Sequence, residues 1–313
     1  MSTMAQSKTS GKWGSIQKEI RNRWQVYLMM LPAVILLLLF SYKPMYGVVI
    51  AFKNYNFRGG IWGSPWVGLK QFETLFSSYW FPIILKNTLS ISLIALVLGF
   101  PFPIILALMT NEIQRSWVKK TVQTISYAPH FISTVVLCGM VILFLSPENG
   151  IINLAIEAFG GESVYFMAQP GMFKWIYVIS GIWQGTGWSA IIYVAALSGV
   201  DKELLEAAEI DGATRFQKVI YINFPVLVPT IIILFILRCG NILDIGYEKV
   251  FALQNSANLN GSEVISTYVY KMGLVKSNFS FSTAAGLFNS LVNSAILLLA
   301  NFISKKASQI SLW

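Results

Sequence analysis

A few side chains able to bind a solute or hold charge stand inside otherwise apolar stretches of this sequence. Gln184, Trp188 and Tyr193 fall in one stretch, Arg238, Asn241 and Asp244 in a second, and Asn289 and Asn293 in a third. Gln184 and Trp188 are spaced i, i+4, as are Asn289 and Asn293, so on helices each pair shares a face. The chemistry these groups offer is non-covalent: amides that exchange hydrogen bonds, aromatic faces for apolar rings, and a guanidinium for an anion. Arg238 is the sharpest of them, because an ionisable group inside an apolar span is costly and faces a cavity or a charged partner. A plainer use stays open for each. Trp188 and Tyr193 could sit in an interfacial aromatic belt. Asn289 and Asn293 could join neighbouring helices, and Arg238 could pair with Asp244 or Glu248.

Groups for covalent chemistry are missing. Gly11-Lys12 is followed by Trp13, so no phosphate-binding G-x-x-x-x-G-K-[ST] loop is present, and there is no HExxH. His130 is the only histidine and stands beside Pro129. No nucleophile–base pair emerges, so we expect no catalytic residue and no metal site. Cys138 and Cys239 both lie in apolar runs and read as small buried hydrophobes.

The elements that must carry these groups are read from composition. Of 313 residues, 55% are hydrophobic and 12% charged, against roughly 25% charged in an average soluble domain. Long apolar runs alternate with short polar stretches, the pattern of an all-α integral membrane protein. Six transmembrane helices are expected, over 24–51, 83–108, 122–145, 173–197, 225–245 and 284–303. The first run is long and lacks a small-residue cleavage pattern, so it reads as a retained span. Pro32, Pro101 and Pro103 fall within spans, where neighbouring helices can satisfy the freed backbone groups.

Charge sets the orientation. Lys8, Lys12, Lys18, Arg21 and Arg23 precede the first run, Lys305 and Lys306 close the last, and 111–120 carries Arg115, Lys119 and Lys120. The segment 147–171 has no basic residue but holds Glu148, Glu157 and Glu162. Basic flanks mark the cytoplasmic side. That yields a cytoplasmic tail over 1–23, a membrane domain over 24–306 and a second cytoplasmic tail over 307–313. The longer segment 52–82 should face outward, although Lys53, Arg58 and Lys70 run against the rule. The net charge of +9 is thus spent on membrane flanks; no aromatic–basic interleave accompanies it, and nucleic acid is not an expected partner.

Charge returns densely over 198–225, SGVDKELLEAAEIDGATRFQKVIYINFP. Leu204, Leu205, Ala208 and Ile210 make the apolar stripe of a short amphipathic helix. Asp211-Gly212 is a turn signal that ends it. A second helical stretch begins near Ala213 with Phe216, Val219 and Ile220 on one side. Pro225 suits the first turn of the fifth span, where its missing N–H costs little. The result is two short helices meeting at a glycine on the cytoplasmic face, with small side chains at Ala207 and Ala208 that allow close packing against another surface. By pattern alone, an ordinary solvated loop stays open.

Glu206-Ala207-Ala208, three residues, Gly212, nine residues, then Ile222-x-Phe224-Pro225 resembles the EAA loop of binding-protein-dependent ABC importer permeases. Phe224 stands where that pattern usually has Leu. Glu206-Ala207-Ala208-x-x-Asp211-Gly212-Ala213 is the form typical of the carbohydrate branch. The segment from Phe52 to Leu89, including Val67-Gly68-Leu69-x-x-Phe72 and Asn87-Thr88-Leu89, is similar to the first permease subunit of sugar importers. From Trp24 to Lys306 the chain resembles the MalF-like, LplB-type sugar permeases.

The resemblance implies a type I ABC importer transmembrane domain in a bacterial plasma membrane. Its coupling loop (Glu206, Ala207, Ala208, Asp211, Gly212, Ala213, Phe216 and Pro225) would dock in a groove of a cytoplasmic ATPase. Implied partners are a second homologous permease in a heterodimer, two ATPase subunits holding ATP and magnesium, and an external sugar-binding protein; no cofactor falls to this chain. The cargo would be a sugar, in particular an oligosaccharide, and Arg238 in the cavity would suit a uronate, since guanidinium matches carboxylate geometry. A non-sugar cargo within the same superfamily stays open. An ion-coupled secondary transporter would leave the 206–225 pattern without a purpose.

Overall fold

The computed structural model describes residues 21–313; Lys8, Lys12, Lys18 and most of the expected N-terminal tail lie outside the described residues. Among these residues the backbone is helical throughout its regular segments, and β-pairing is confined to one isolated bridge, Lys53–Trp66. The helices are α1 (Trp24–Phe52), α2 (Lys70–Phe76), α3 (Trp80–Asn111), α4 (Ser116–Phe131) and α5 (Thr134–Phe144). They continue with α6 (Ile151–Ala158), α7 (Pro170–Leu197), α8 (Lys202–Ile210) and α9 (Arg215–Cys239), then α10 (Tyr247–Leu253), α11 (Ile265–Tyr270) and α12 (Phe279–Ser308). Taken singly, α1, α3, α9 and α12 are long and apolar enough to cross a membrane, and α4 with α5 make a fifth if that pair, bent by 98°, counts as one broken span.

The fourth expected span is α7, and it is different in kind. Its 28 residues reach about 42 Å at the helical rise of ~1.5 Å per residue, yet it is not among the strongly apolar helices. Ser180, Gln184 and Thr186 punctuate it. Position bears on this: α7 packs against α3, α4 and α9, so much of it meets protein, although Ile179, Trp183 and Ile192 stay exposed. Ile91, Cys138, Phe173, Ile176, Val178 and Val250 join α3, α5, α7 and α10 in one core. Ile104, Ala107, Ala190, Tyr193, Leu197 and Leu227 join α3, α7 and α9 in another. The α4–α7 crossing is close enough that a β-carbon at Gly187 would collide with the Ser126 carbonyl.

Three expected spans take different limits. The third, expected as one helix over 122–145, breaks after a 3₁₀ turn, Ala128–Phe131, that contains Pro129. Ile132 is extended there, and the Ser133 hydroxyl accepts the Val136 N–H to start α5. The fifth, expected to begin at Pro225, begins instead at Arg215, and Pro225 lies inside it. A π-turn over Val219–Asn223 makes this possible, because the Phe224 N–H bonds back to Val219 and shifts the register just before a residue with no N–H to give. The same device precedes Pro44, where the Lys43 N–H bonds to Leu38. α9 also ends early, at Cys239, where Gly240 lies against Leu297 of α12 with no room for a β-carbon. The sixth span is longer than expected, with the Asn278 side chain accepting the Phe281 N–H at its start.

The segment 52–82 is not a loose loop. The Tyr55 N–H donates to Ser280 Oγ at 2.8 Å, and Leu75 of α2 packs with Phe281 and Ala285 of α12.

Candidate functional site

Two features stand out, a cavity inside the bundle and an exposed elbow at one end of it. The cavity is a half-open space of about 750 Å³ between α3, α7, α9 and α10, within the size range of small-molecule sites. Gln184, Trp188, Tyr193 and Arg238 all line it, together with Tyr177 and Lys249. Gln184 also serves the backbone: its Nε2 donates to the Ile132 carbonyl at 2.9 Å, satisfying the break between α4 and α5. The Trp188 indole stacks on His130, with ring centroids 4.4 Å apart and planes within 5°. The lone histidine therefore props an aromatic wall of the cavity.

Arg238 stands on the last turn of α9, and no carboxylate among the described residues lies within 4.0 Å of it. The ion pair with Asp244 or Glu248 that the sequence left open does not form. A smaller pocket of about 50 Å³ adjoins the first and shares Tyr177 and Arg238 with it; Asn241 and Asp244 line this second space. Asn289 and Asn293 lie outside both. Asn289 Nδ2 donates to Asp244 Oδ1 at 3.3 Å, while Asn293 Oδ1 accepts the Leu243 N–H at 3.0 Å, where the chain turns after α9.

Lys249 and Tyr177 were not singled out from the sequence. Tyr177 reads there as one more aromatic of an apolar run. Lys249 falls in a short segment beyond the fifth span, and only its apolar neighbours Val250, Phe251 and Leu253 hint that the segment folds inward.

The elbow joins α8 to α9. Asp201 Oδ1 accepts the Glu203 N–H at the start of α8. At its end Gly212 takes φ +80°, the Ala213 N–H bonds to Ala208 and the Gly212 N–H to Glu209. These two bonds form a Schellman cap, which requires a residue at ease in the left-handed region. Thr214 then opens α9 with a capping box: the Gln217 N–H donates to Thr214 Oγ1 and the Thr214 N–H to Gln217 Oε1. Lys218 and Glu209 pair across the elbow at 3.5 Å. Apolar side chains that a soluble protein would bury stand in the open here: Leu204, Ile210, Phe216 and Tyr221 are 53–87% exposed. Just above, Asn223 Nδ2 donates to Glu112 at the end of α3 at 3.1 Å.

The family model described as "binding-protein-dependent transport system inner membrane component" matches residues 99–309. The chain belongs to this family. The matched region takes in the whole elbow and nearly all of the cavity wall. The permease protein YteP of a polygalacturonan/rhamnogalacturonan transport system from Bacillus subtilis (strain 168) is 44% identical, over 90% of this chain and 88% of its own. The LplB protein of the same organism is 40% identical, over 96% and 95%. Among solved structures, a chain of a bacterial alginate ABC transporter, in complex with a periplasmic protein carrying an alginate pentasaccharide, is 42% identical. It superposes with a TM-score of 0.86 over 94% of this chain and 99% of its own. The membrane location, the helical fold and the place in a binding-protein-dependent importer are thereby shown.

Proposed function

We propose that this permease passes an acidic oligosaccharide, delivered by an external binding protein, into the cytoplasm. The observation that carries this reading is Arg238, an unpaired guanidinium facing a cavity walled by Trp188, Tyr193, Tyr177 and Gln184. Aromatic faces suit the apolar faces of sugar rings, amides suit hydroxyls, and a guanidinium suits a carboxylate. The named cargoes of the transporters containing YteP and of the alginate importer are themselves acidic polysaccharides, which supports the same cargo class.

ATP, with magnesium, is hydrolysed on separate partner chains in this reading. The elbow faces the cytoplasm, as do both termini, and its exposed Leu204, Ile210 and Phe216 enter a groove of the ATPase. Transmission is then mechanical. Elbow and cavity are ends of one element, because α9 runs unbroken for 25 residues from Arg215 at the elbow to Cys239 beside Arg238. Asn223–Glu112 ties the same rod to α3, which forms the adjoining wall through Gly99, Phe100 and Pro103. Displacing the elbow as the ATPases close therefore moves two cavity walls together. Differential contacts of the ATPases with the two arrangements supply the alternation.

Uptake of radiolabelled trigalacturonate into proteoliposomes containing the assembled importer, with ATP inside and the binding protein outside, tests the reading. ATP-dependent accumulation supports it. Accumulation that follows a proton gradient, with no need for ATP, overturns it.

A further inference from the structure

Arg238 is not the only cation facing the cavity. Lys249 reaches it from α10, outside the apolar spans, and is only 8% exposed. Its Nζ donates to the Tyr177 carbonyl at 2.9 Å and lies 4.7 Å from the centroid of the Tyr177 ring. Gly181, one turn further along α7, keeps the berth open, since a β-carbon there would come within 3.2 Å of Nζ. The other side of α10 is held as well: Cys138 Sγ donates to the Lys249 carbonyl at 3.9 Å. The backbone and the side chain are thus both positioned.

What the berth lacks is a counter-ion. The ion pairs among the described residues are Lys218–Glu209 and Lys271–Glu263, and neither involves Lys249. An ammonium carries three donors, of which one is accounted for by Tyr177. Removing an ammonium from water without a carboxylate is costly, and a methionine of similar reach would fill the space without that cost. An ammonium held without a counter-ion at the edge of a solute-sized cavity points to an anion that comes and goes. Arg238, lining the same cavity and with no carboxylate of the described residues within 4.0 Å, makes the site dicationic.

We propose that Lys249 is a specificity-determining residue of the pathway, binding a cargo carboxylate in concert with Arg238. Tyr177, which lines both pockets, holds the Lys249 ammonium at the cavity edge through its carbonyl and its ring. The proposal rests on the acidic-cargo reading, and its test separates the two.

The importer, assembled with its partner chains in nanodiscs, is dialysed to equilibrium against radiolabelled trigalacturonate and its fully methyl-esterified counterpart, without binding protein. The wild type is expected to bind the acid about tenfold more tightly than the ester, the scale of one charge-assisted contact. Lys249→Met lowers that preference to the part that Arg238 supplies while ester binding holds, and Lys249→Arg retains it in full. Lys249→Gln repeats the neutral change should the methionine variant fail to assemble. An unchanged preference in the neutral variants overturns the role of Lys249 alone. Equal loss of acid and ester binding in the neutral and arginine variants reduces Lys249 to packing and also overturns it. A wild type indifferent to the charge overturns the acidic-cargo reading beneath it.

Discussion

At Gly212 a single backbone angle decides whether the elbow exists. With φ at +80°, any residue with a β-carbon is strained, and a β-branched one most of all. Gly212→Val is expected to open the Schellman cap at a local cost of about 1–2 kcal/mol. That is far too little to unfold the bundle but enough to misdirect Ile210 and Phe216. The variant should reach the membrane normally and lose the ATPase on affinity purification; retention of the ATPase would mean that docking does not depend on the elbow. Arg238→Met addresses the other end of α9. It should reduce trigalacturonate uptake about tenfold and leave ATPase recovery in the same purification intact.

Residues differ in how plainly they announce themselves. Gly212 was legible because Asp-Gly is a local turn signal and its geometry depends on nothing distant. Arg238 was legible because charge inside an apolar run is conspicuous. Lys249 was not, since its burial depends on the chain folding back after Gly240, which no periodicity encodes. Asn289 and Asn293 share a face as expected, yet that face looks towards Asp244 and Leu243 rather than into a cavity. Spacing identifies a common face but not what the face meets.

Among the elements, α9 shows how local chemistry and connectivity interact. Proline at 225 reads in sequence as a helix start. In the structure the π-turn over Val219–Asn223 absorbs the missing donor, so elbow segment and span become one rod. Pro225→Ala restores that donor and lets the register anneal to ordinary α-helix. Such annealing advances the elbow by one residue, about 1.5 Å and 100° around the axis. ATP hydrolysis by the reconstituted importer should then respond far less to cargo-loaded binding protein, with the ATPase still bound. Unchanged stimulation would show that the π-turn serves packing only. The crossing of α4 over α7 is governed by Gly187, whose missing β-carbon admits the Ser126 carbonyl. Gly187→Leu overpacks it, at about 3 kcal/mol, and should lower the Tm of the purified complex by several degrees. Of the six expected spans, α1, α3, α9 and α12 are long and apolar enough to cross a membrane, with α4 and α5 a fifth if that pair counts as one, while α7 is not strongly apolar. The 98° break between α4 and α5 was not legible in the sequence, because it falls at a Pro129 turn whose Ile132 carbonyl is capped by Gln184, 52 residues beyond Ile132.

At the scale of the whole molecule the bundle is incomplete on one side. Trp24–Leu37, the first part of α1, has no buried residue, while the end of the same helix, Tyr46–Phe52, packs against α12. Lipid could cover the free stretch, but so could a second permease, and the two differ in what a thiol there would find. A cysteine at Leu31, itself 48% exposed, is at the middle of the free stretch. In native membranes, Leu31→Cys treated with a short bifunctional thiol reagent should give a cross-linked band containing a second, non-identical permease carrying its own engineered cysteine. The control position is Leu75, 1% exposed beneath α12, where no intermolecular product can form. A cross-link joining two copies of this chain would replace the heterodimer with a homodimer, and no cross-link at several positions along Trp24–Leu37 would assign the stretch to lipid. A heterodimer also fits the cavity, since one wall pair moved by α9 and α3 can close on a solute only if an opposing set of helices completes the enclosure.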